Sequence, residues 1–143
     1  MKSKKYIIIA DDDEDDQLLM RSAFEEINYK GELVFVSDGL ELKSHVISAS
    51  EKGTFPHLVM MDLNMPKKNG REILAEFAEN DKLKNLPVII LSTSQAPFDI
   101  NSSYLAGASS YLIKPSTYND LVKMVQSIVD FWMNQNRPFD PNN

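Results

Sequence analysis

The stretch Leu58-Val59-Met60-Met61-Asp62-Leu63-Asn64-Met65-Pro66-Lys67-Lys68-Asn69-Gly70 decides how this chain folds. A short apolar run ends on one carboxylate, and turn residues follow at once. A run of this kind, bounded by turn residues, reads as a strand buried on both faces. Pro66 fixes φ and has no N–H for a ladder, so the strand cannot continue through it. Gly70 releases the chain into a helix. Asp62 therefore stands at the carboxyl end of a rigid strand, beside a loop of defined shape. Taken alone it reads as an ordinary turn acid, because Asp is common at strand ends. The rest of the chain changes that balance.

Upstream, Tyr6-Ile7-Ile8-Ile9-Ala10 is β-branched and apolar and reads as strand one. The acid run Asp11-Asp12-Asp13-Glu14-Asp15-Asp16 follows directly. Leu18, Leu19, Ala23, Phe24 and Ile27 then recur at helical spacing, so the later acids fall in a helix's first turn, where the macrodipole favours them. Gly31 is expected to end that helix. Leu33 to Val36 is strand two, Asp38-Gly39 a turn, and Leu40 to about Ala49 the second helix. Downstream, a third helix follows Gly70, with Ile73, Leu74 and Phe77 on one face. Strand four is Val88 to Leu91, with Ser92-Thr93-Ser94 at its end. A short fourth helix runs from Pro97 to Leu105 and closes at Gly107. Strand five is Tyr111 to Ile113, stopped by Lys114-Pro115, and a last helix runs from near Thr117 to about Asn134. Residues 135–143 are expected to be an irregular tail.

Strict alternation of strands and helices implies a doubly wound α/β fold, a parallel sheet with right-handed crossovers and helices on both faces. In such sheets the functional crevice lies at the carboxyl ends of the strands. The length, 143 residues, fits one domain. The net charge of −6 argues against direct DNA binding or an anionic membrane surface. The absence of cysteine excludes a disulfide frame and thiolate metal sites, and fits the cytoplasm. No segment approaches membrane-spanning length.

One rim then collects Asp11 and Asp12 from strand one, Asp62 from strand three, Ser92 from strand four and Lys114 from strand five. Carboxylates crowded together repel unless a cation sits among them. Mg²⁺ suits hard oxygen ligands and binds through one or two carboxylates plus a phosphate, and the backbone carbonyl of Asn64 can complete the set. An ammonium and a hydroxyl opposite the metal can hold phosphoryl oxygens, and the central carboxylate can be the nucleophile. Rival motifs fail on spacing. From Asp11 the sixth residue is Asp16 and the twelfth Ser22, where an EF-hand needs Gly and Glu. There is no Gly-x-x-x-x-Gly-Lys loop. His45 and His57 read as incidental. A phosphatase on the same rim would want an acid two residues after the nucleophile, and that residue is Asn64.

With these residues in order, the chain from about Tyr6 to Asn134 resembles a receiver domain of two-component response regulators. The motifs that carry the resemblance are Asp11-Asp12 after strand one, Met61-Asp62-Leu63-Asn64-Met65-Pro66-Lys67-Lys68-Asn69-Gly70, Ser92, and Gly107-Ala108-Ser109-Ser110-Tyr111-Leu112-Ile113-Lys114-Pro115. It implies a flavodoxin-like (βα)5 fold with strand order 2-1-3-4-5. It implies that Asp62 accepts a phosphoryl group, that Asp11, Asp12, Asp62 and the Asn64 carbonyl hold Mg²⁺, and that Lys114 and Ser92 bind the phosphoryl group. Ser92 and Tyr111 become the switch pair, with Tyr111 moving inward on phosphorylation. Asp13 is an alternative to Asp11 as second ligand in the acid run. Thr93 is bulkier than the Ala common at that place and narrows access. A cis Lys114–Pro115 bond is also implied. Leu63-Asn64-Met65-Pro66-Lys67-Lys68-Asn69-Gly70-Arg71, the long second helix and Asp130-Phe131-Trp132 are similar to phytochrome-associated single-domain regulators. The implied partners are a sensor histidine kinase, including the phytochrome type, or a histidine phosphotransfer protein, and a downstream protein. Such a chain is no enzyme beyond self-phosphorylation and slow self-dephosphorylation. A Mg²⁺-dependent phosphatase and a degenerate docking receiver are the rival readings.

The last helix has more apolar surface than one core needs. Leu121, Val125, Ile128 and Trp132 form a stripe, flanked by Val122, Val129 and Met133 on one side and Met124 and Phe131 on the other. Together they span roughly 200° of the helix, which leads to an expected homodimer through helix four, strand five and helix five. With no output domain expected after Asn134, signalling is expected to run through protein contacts.

Overall fold

The computed structural model describes Lys5–Arg137, and the last residues of the expected tail, 138–143, lie outside the described residues. Its elements alternate without exception: β1 (Tyr6–Ala10), α1 (Glu14–Glu26), β2 (Glu32–Val36), α2 (Gly39–Lys52), β3 (Leu58–Asp62), α3 (Gly70–Ala78), β4 (Val88–Ser92), α4 (Pro97–Ala106), β5 (Ser110–Ile113) and α5 (Tyr118–Ile128). A π-helical segment, Val129–Gln135, continues α5. The five strands are parallel, in the order β2-β1-β3-β4-β5. Side chains alternate across each strand, so the sheet feeds two cores. Ile8, Ala10, Val59, Met61, Val88 and Ile90 meet Leu42 and Val46 of α2 and Ile73, Leu74 and Phe77 of α3. Ile7, Ile9, Leu58, Met60, Ile89 and Leu91 meet Met20, Ala23 and Phe24 of α1 and Val125 and Ile128 of α5. The same parity sends Asp62 toward the α1–α5 face and Ser92 toward the opposite one.

Local signals set the boundaries. Asp13 caps α1 by accepting from the backbone N–H groups of Asp15 and Asp16 at 2.8 and 3.1 Å. That helix stops before Gly31. Its cap is Ile27, and Asn28 takes the left-handed turn with φ 57°, a conformation short polar side chains tolerate. Gly31 is needed for another reason, since a Cβ there would lie 2.1 Å from the Tyr29 hydroxyl oxygen. The second helix runs three residues past Ala49 and ends on the left-handed Gly53, φ 71°. Gln135 is helical, so the irregular tail begins one residue later than expected. In the π segment Val129 and Met133 are buried, and Trp132 is only half-buried.

The loop after Asp62 leans on the start of α2. Gly70 N–H donates to the Leu63 carbonyl at 2.8 Å. A Cβ on Gly39 would lie 2.1 Å from the Lys68 carbonyl oxygen. Backbone cannot yield there as a side-chain tip can, so Gly39→Ala pushes the loop and helix apart. The expected cost is about 1–3 kcal/mol of stability. Urea unfolding checks it: the midpoint falls, whereas an unchanged midpoint would mean that the two segments do not touch in solution.

Candidate functional site

Four strand ends build the site. Asp11 follows β1, is buried, and accepts from the Asp13 N–H at 2.9 Å. Asp12 is exposed beside it. Asp62 closes β3, and its Oδ1 accepts from the Asn64 N–H at 3.1 Å. Asp11, Asp12 and Asp62 offer carboxylate oxygens that all lie within 4.8 Å of one another. Asp13 is not in this group, and its Oδ1 caps α1.

Lys114 is the cation of the site. Its Nζ donates to Asp62 Oδ2 at 2.8 Å, Asp16 Oδ2 at 3.1 Å and Asp11 Oδ2 at 3.2 Å. Burial works against the charge on Lys114, but the bond and charge of Asp62, with those of Asp11 and Asp16, outweigh it and raise its pKa. Burial raises the Asp11 pKa. The Asp13 amide and Lys114 pull it down, and the neighbouring charge of Asp62 pushes it further up. Asp16 is the residue that sequence reasoning assigned to a solvated helix start. No spacing in the acid run singles it out; the packing of α1 against the sheet brings it to Lys114.

The cis expectation at Lys114–Pro115 is overturned: the bond is trans, as no peptide among the described residues is cis. A trans X–Pro bond is preferred by about 0.5–1 kcal/mol, and the Lys114 side chain reaches Asp62 without the sharper bend.

The other expected residues lie on the opposite face of the sheet edge. Ser92 is 1% exposed, and its Oγ accepts from the Ser94 N–H at 3.1 Å. Tyr111 points inward. It is buried, and its hydroxyl donates to the Ser94 carbonyl at 2.9 Å. Ile100, Ala106 and Ala108 pack against the same core as its ring. Ser94 Oγ donates to Asp99 at 2.6 Å, and Arg71 of α3 donates to Asp99 at 3.0 Å. Both hold the Asp99 carboxyl below the usual range, the Ser94 bond most strongly. Thr93 is exposed at the rim.

The whole pattern agrees with a family model, that of the response regulator receiver domain, which matches residues 7–126. The chain belongs to the response regulator receiver family. The chain is 37% identical over 131 residues to the response regulator Rcp1 of Synechocystis sp. PCC 6803, covering 90% of this chain and 89% of Rcp1. Its structure is similar to that of the phosphorylated cyanobacterial phytochrome response regulator RcpA, with a TM-score of 0.86 at 33% identity, covering 95% of this chain and 99% of that one. It is likewise similar to the Mn²⁺-bound form of Rcp1, with a TM-score of 0.81 at 35% identity, covering 94% and 99%. This receiver is thus a phosphorelay domain of a two-component system, with an acidic cluster of the kind that takes a divalent metal. No helix among its described residues is long and apolar enough to cross a membrane.

Proposed function

We propose that this receiver takes a phosphoryl group from a kinase phosphohistidine onto Asp62, in the cytoplasm, with Mg²⁺ bound. The observation that carries the reading is Lys114 Nζ 2.8 Å from Asp62 Oδ2, beside a three-carboxylate cluster. The donor set fits the ion: hard carboxylate oxygens, one buried, crowded beyond what Lys114 alone neutralises. Asp11, Asp12 and Asp62 would hold it, with the Asn64 carbonyl, and bound there it neutralises charge on the transferring group. A free Asp62 oxygen attacks phosphorus in line. The P–N bond breaks and its electron pair returns to the imidazole. Lys114 holds one phosphoryl oxygen, and Ser92 Oγ turns from its Ser94 bond to another. Because Tyr111 bonds the Ser94 carbonyl, movement of Ser92 pulls directly on the contacts that keep Tyr111 inward. The product mixed anhydride hydrolyses slowly, since the residue two past Asp62 is the amide Asn64, which cannot take a proton from an attacking water. The kinase partner is of the sensor histidine type, and the similarity to Rcp1 and RcpA favours a phytochrome-type kinase. Profiling transfer from purified phosphorylated histidine kinases tests this: transfer to the wild type within seconds supports it. Turnover of small phosphoesters without stoichiometric labelling would favour a phosphatase instead.

Output passes through protein contacts, including a second copy of this chain on the face of α4, β5 and α5. Leu105 is 90% exposed, and Tyr104 and Ile113 are exposed beside it. Phe131 is also exposed. Met124 does not contribute: it is half-buried on the α1 side, next to Leu19 and Leu121. Sedimentation at about 100 μM, generous for a weak pair, should find a dimer that tightens with beryllofluoride and weakens in Leu105→Glu. A monomer in both states would assign the face to another protein.

A further inference from the structure

Lys114 has three N–H donors. Two point to carboxylates that the receiver chemistry uses, Asp62 and Asp11, and the third to Asp16. Asp16 is held in place from both sides. Its own N–H is capped by Asp13, and the next residue, Gln17, donates to the Asp11 carbonyl at 2.6 Å. It approaches Lys114 from the α1–α5 face, where Leu19, Met20, Leu121 and Met124 wall a small cavity behind the ammonium. Ser92 lies on the other face by strand parity. A phosphoryl group on Asp62 needs Lys114 protons directed at its own oxygens. A metal held among the carboxylates would compensate Asp11, whereas among the described residues Asp16 pairs with no cation but Lys114, so its claim on the ammonium persists after transfer.

We propose that Asp16 is a positioning residue that competes with the phosphoryl group for the Lys114 ammonium and so weakens the phosphorylated state. This rests on the reading of Asp62 as phosphoacceptor. Asp15 is its internal control: it carries the same charge one residue away, is exposed, and makes no bond to Lys114. If contact matters, the two must behave differently. If only net charge matters, they behave alike, and screening keeps both effects small.

The test is beryllofluoride affinity at saturating Mg²⁺, with the Lys114 ammonium followed by ¹⁵N NMR in the metal-free protein. Asp16→Asn should bind beryllofluoride roughly three- to tenfold more tightly, the scale of one charge-assisted contact at a half-exposed site. Its Lys114 resonance should shift, while Asp15→Asn moves neither reading. Asp16→Glu, which can still reach Lys114, should return near wild type. Asp16→Ser stands in if the Asn variant folds poorly. Unchanged or weaker affinity in Asp16→Asn, or an equal gain in Asp15→Asn, overturns the proposal. A wild type that neither binds beryllofluoride nor labels would overturn the Asp62 assignment itself, and this inference with it.

Discussion

With acetyl phosphate and Mg²⁺, intact mass should show the wild-type chain gaining one phosphoryl group and Asp62→Asn gaining none. The amide has nearly the shape of the carboxylate and can still accept from the Asn64 N–H, so the fold and loop survive the change. What is lost is the anionic oxygen pair that attacks phosphorus. Loss of a nucleophile removes on the order of 10³-fold or more of the rate. The small donor removes the kinase from the experiment, so the result speaks only of this site. Asp12→Ala separates nucleophile from metal. It keeps Asp62 and Lys114 but opens the carboxylate cluster, and should label slowly and require more Mg²⁺. Full labelling of Asp62→Asn would move the acceptor to another carboxylate, with Asp11 and Asp12 the nearest alternatives.

The parallel sheet and the site at its rim were legible because each strand is a short apolar run closed by a residue that cannot stay in the sheet's interior. Asp11, Asp62, Ser92 and Lys114 all follow such runs, so their place needed only strand counting. Boundaries that depend on one residue's φ were harder: Asn28, rather than Gly31, turns the chain after α1. The tertiary partners of flexible or short side chains were not legible either. Asp16 looked like one acid among several, and only the packing of α1 against the sheet shows which of them Lys114 meets. The wide apolar arc of α5 reads from the sequence as excess, but most of it is used within the chain. Leu121, Val122 and Met124 pack partly against the α1 core, and Met133 of the π segment is buried. What remains unpartnered sits more on α4 than on α5.

Replacing Lys114 by Met should lower the stability of the metal-free protein and enlarge the gain from Mg²⁺. The methionine keeps most of the stem's volume, so the change isolates the charge. Asp11, Asp16 and Asp62 each lose their contact with the ammonium. Removing one partner of a fully buried pair costs about 3–5 kcal/mol. Here Lys114 is 21% exposed and Asp16 42%, so solvent screens part of it. A loss of about 2–3 kcal/mol is expected, or a melting temperature lower by roughly 5–10 °C for a chain of this size. The pH dependence has a definite sign. Asp11 has a raised pKa in the fold, so its protonated form favours folding. That contribution is complete below the ordinary carboxylate value of about 3.9 and is lost as pH rises through the raised value. Lys114 pulls the Asp11 pKa down, so the Met variant raises it further. The Asp11 part of its deficit should therefore be smaller near pH 4 than at neutrality. Saturating Mg²⁺ supplies positive charge to the same carboxylates and should bring the two melting temperatures together, since a ligand stabilises in proportion to its affinity for the native state. Beryllofluoride binding should stay weak in the variant even then, because a cation among the carboxylates does not replace the ammonium on the phosphoryl side. Equal melting temperatures and equal Mg²⁺ shifts would mean that Lys114 is solvated rather than bound to the three acids.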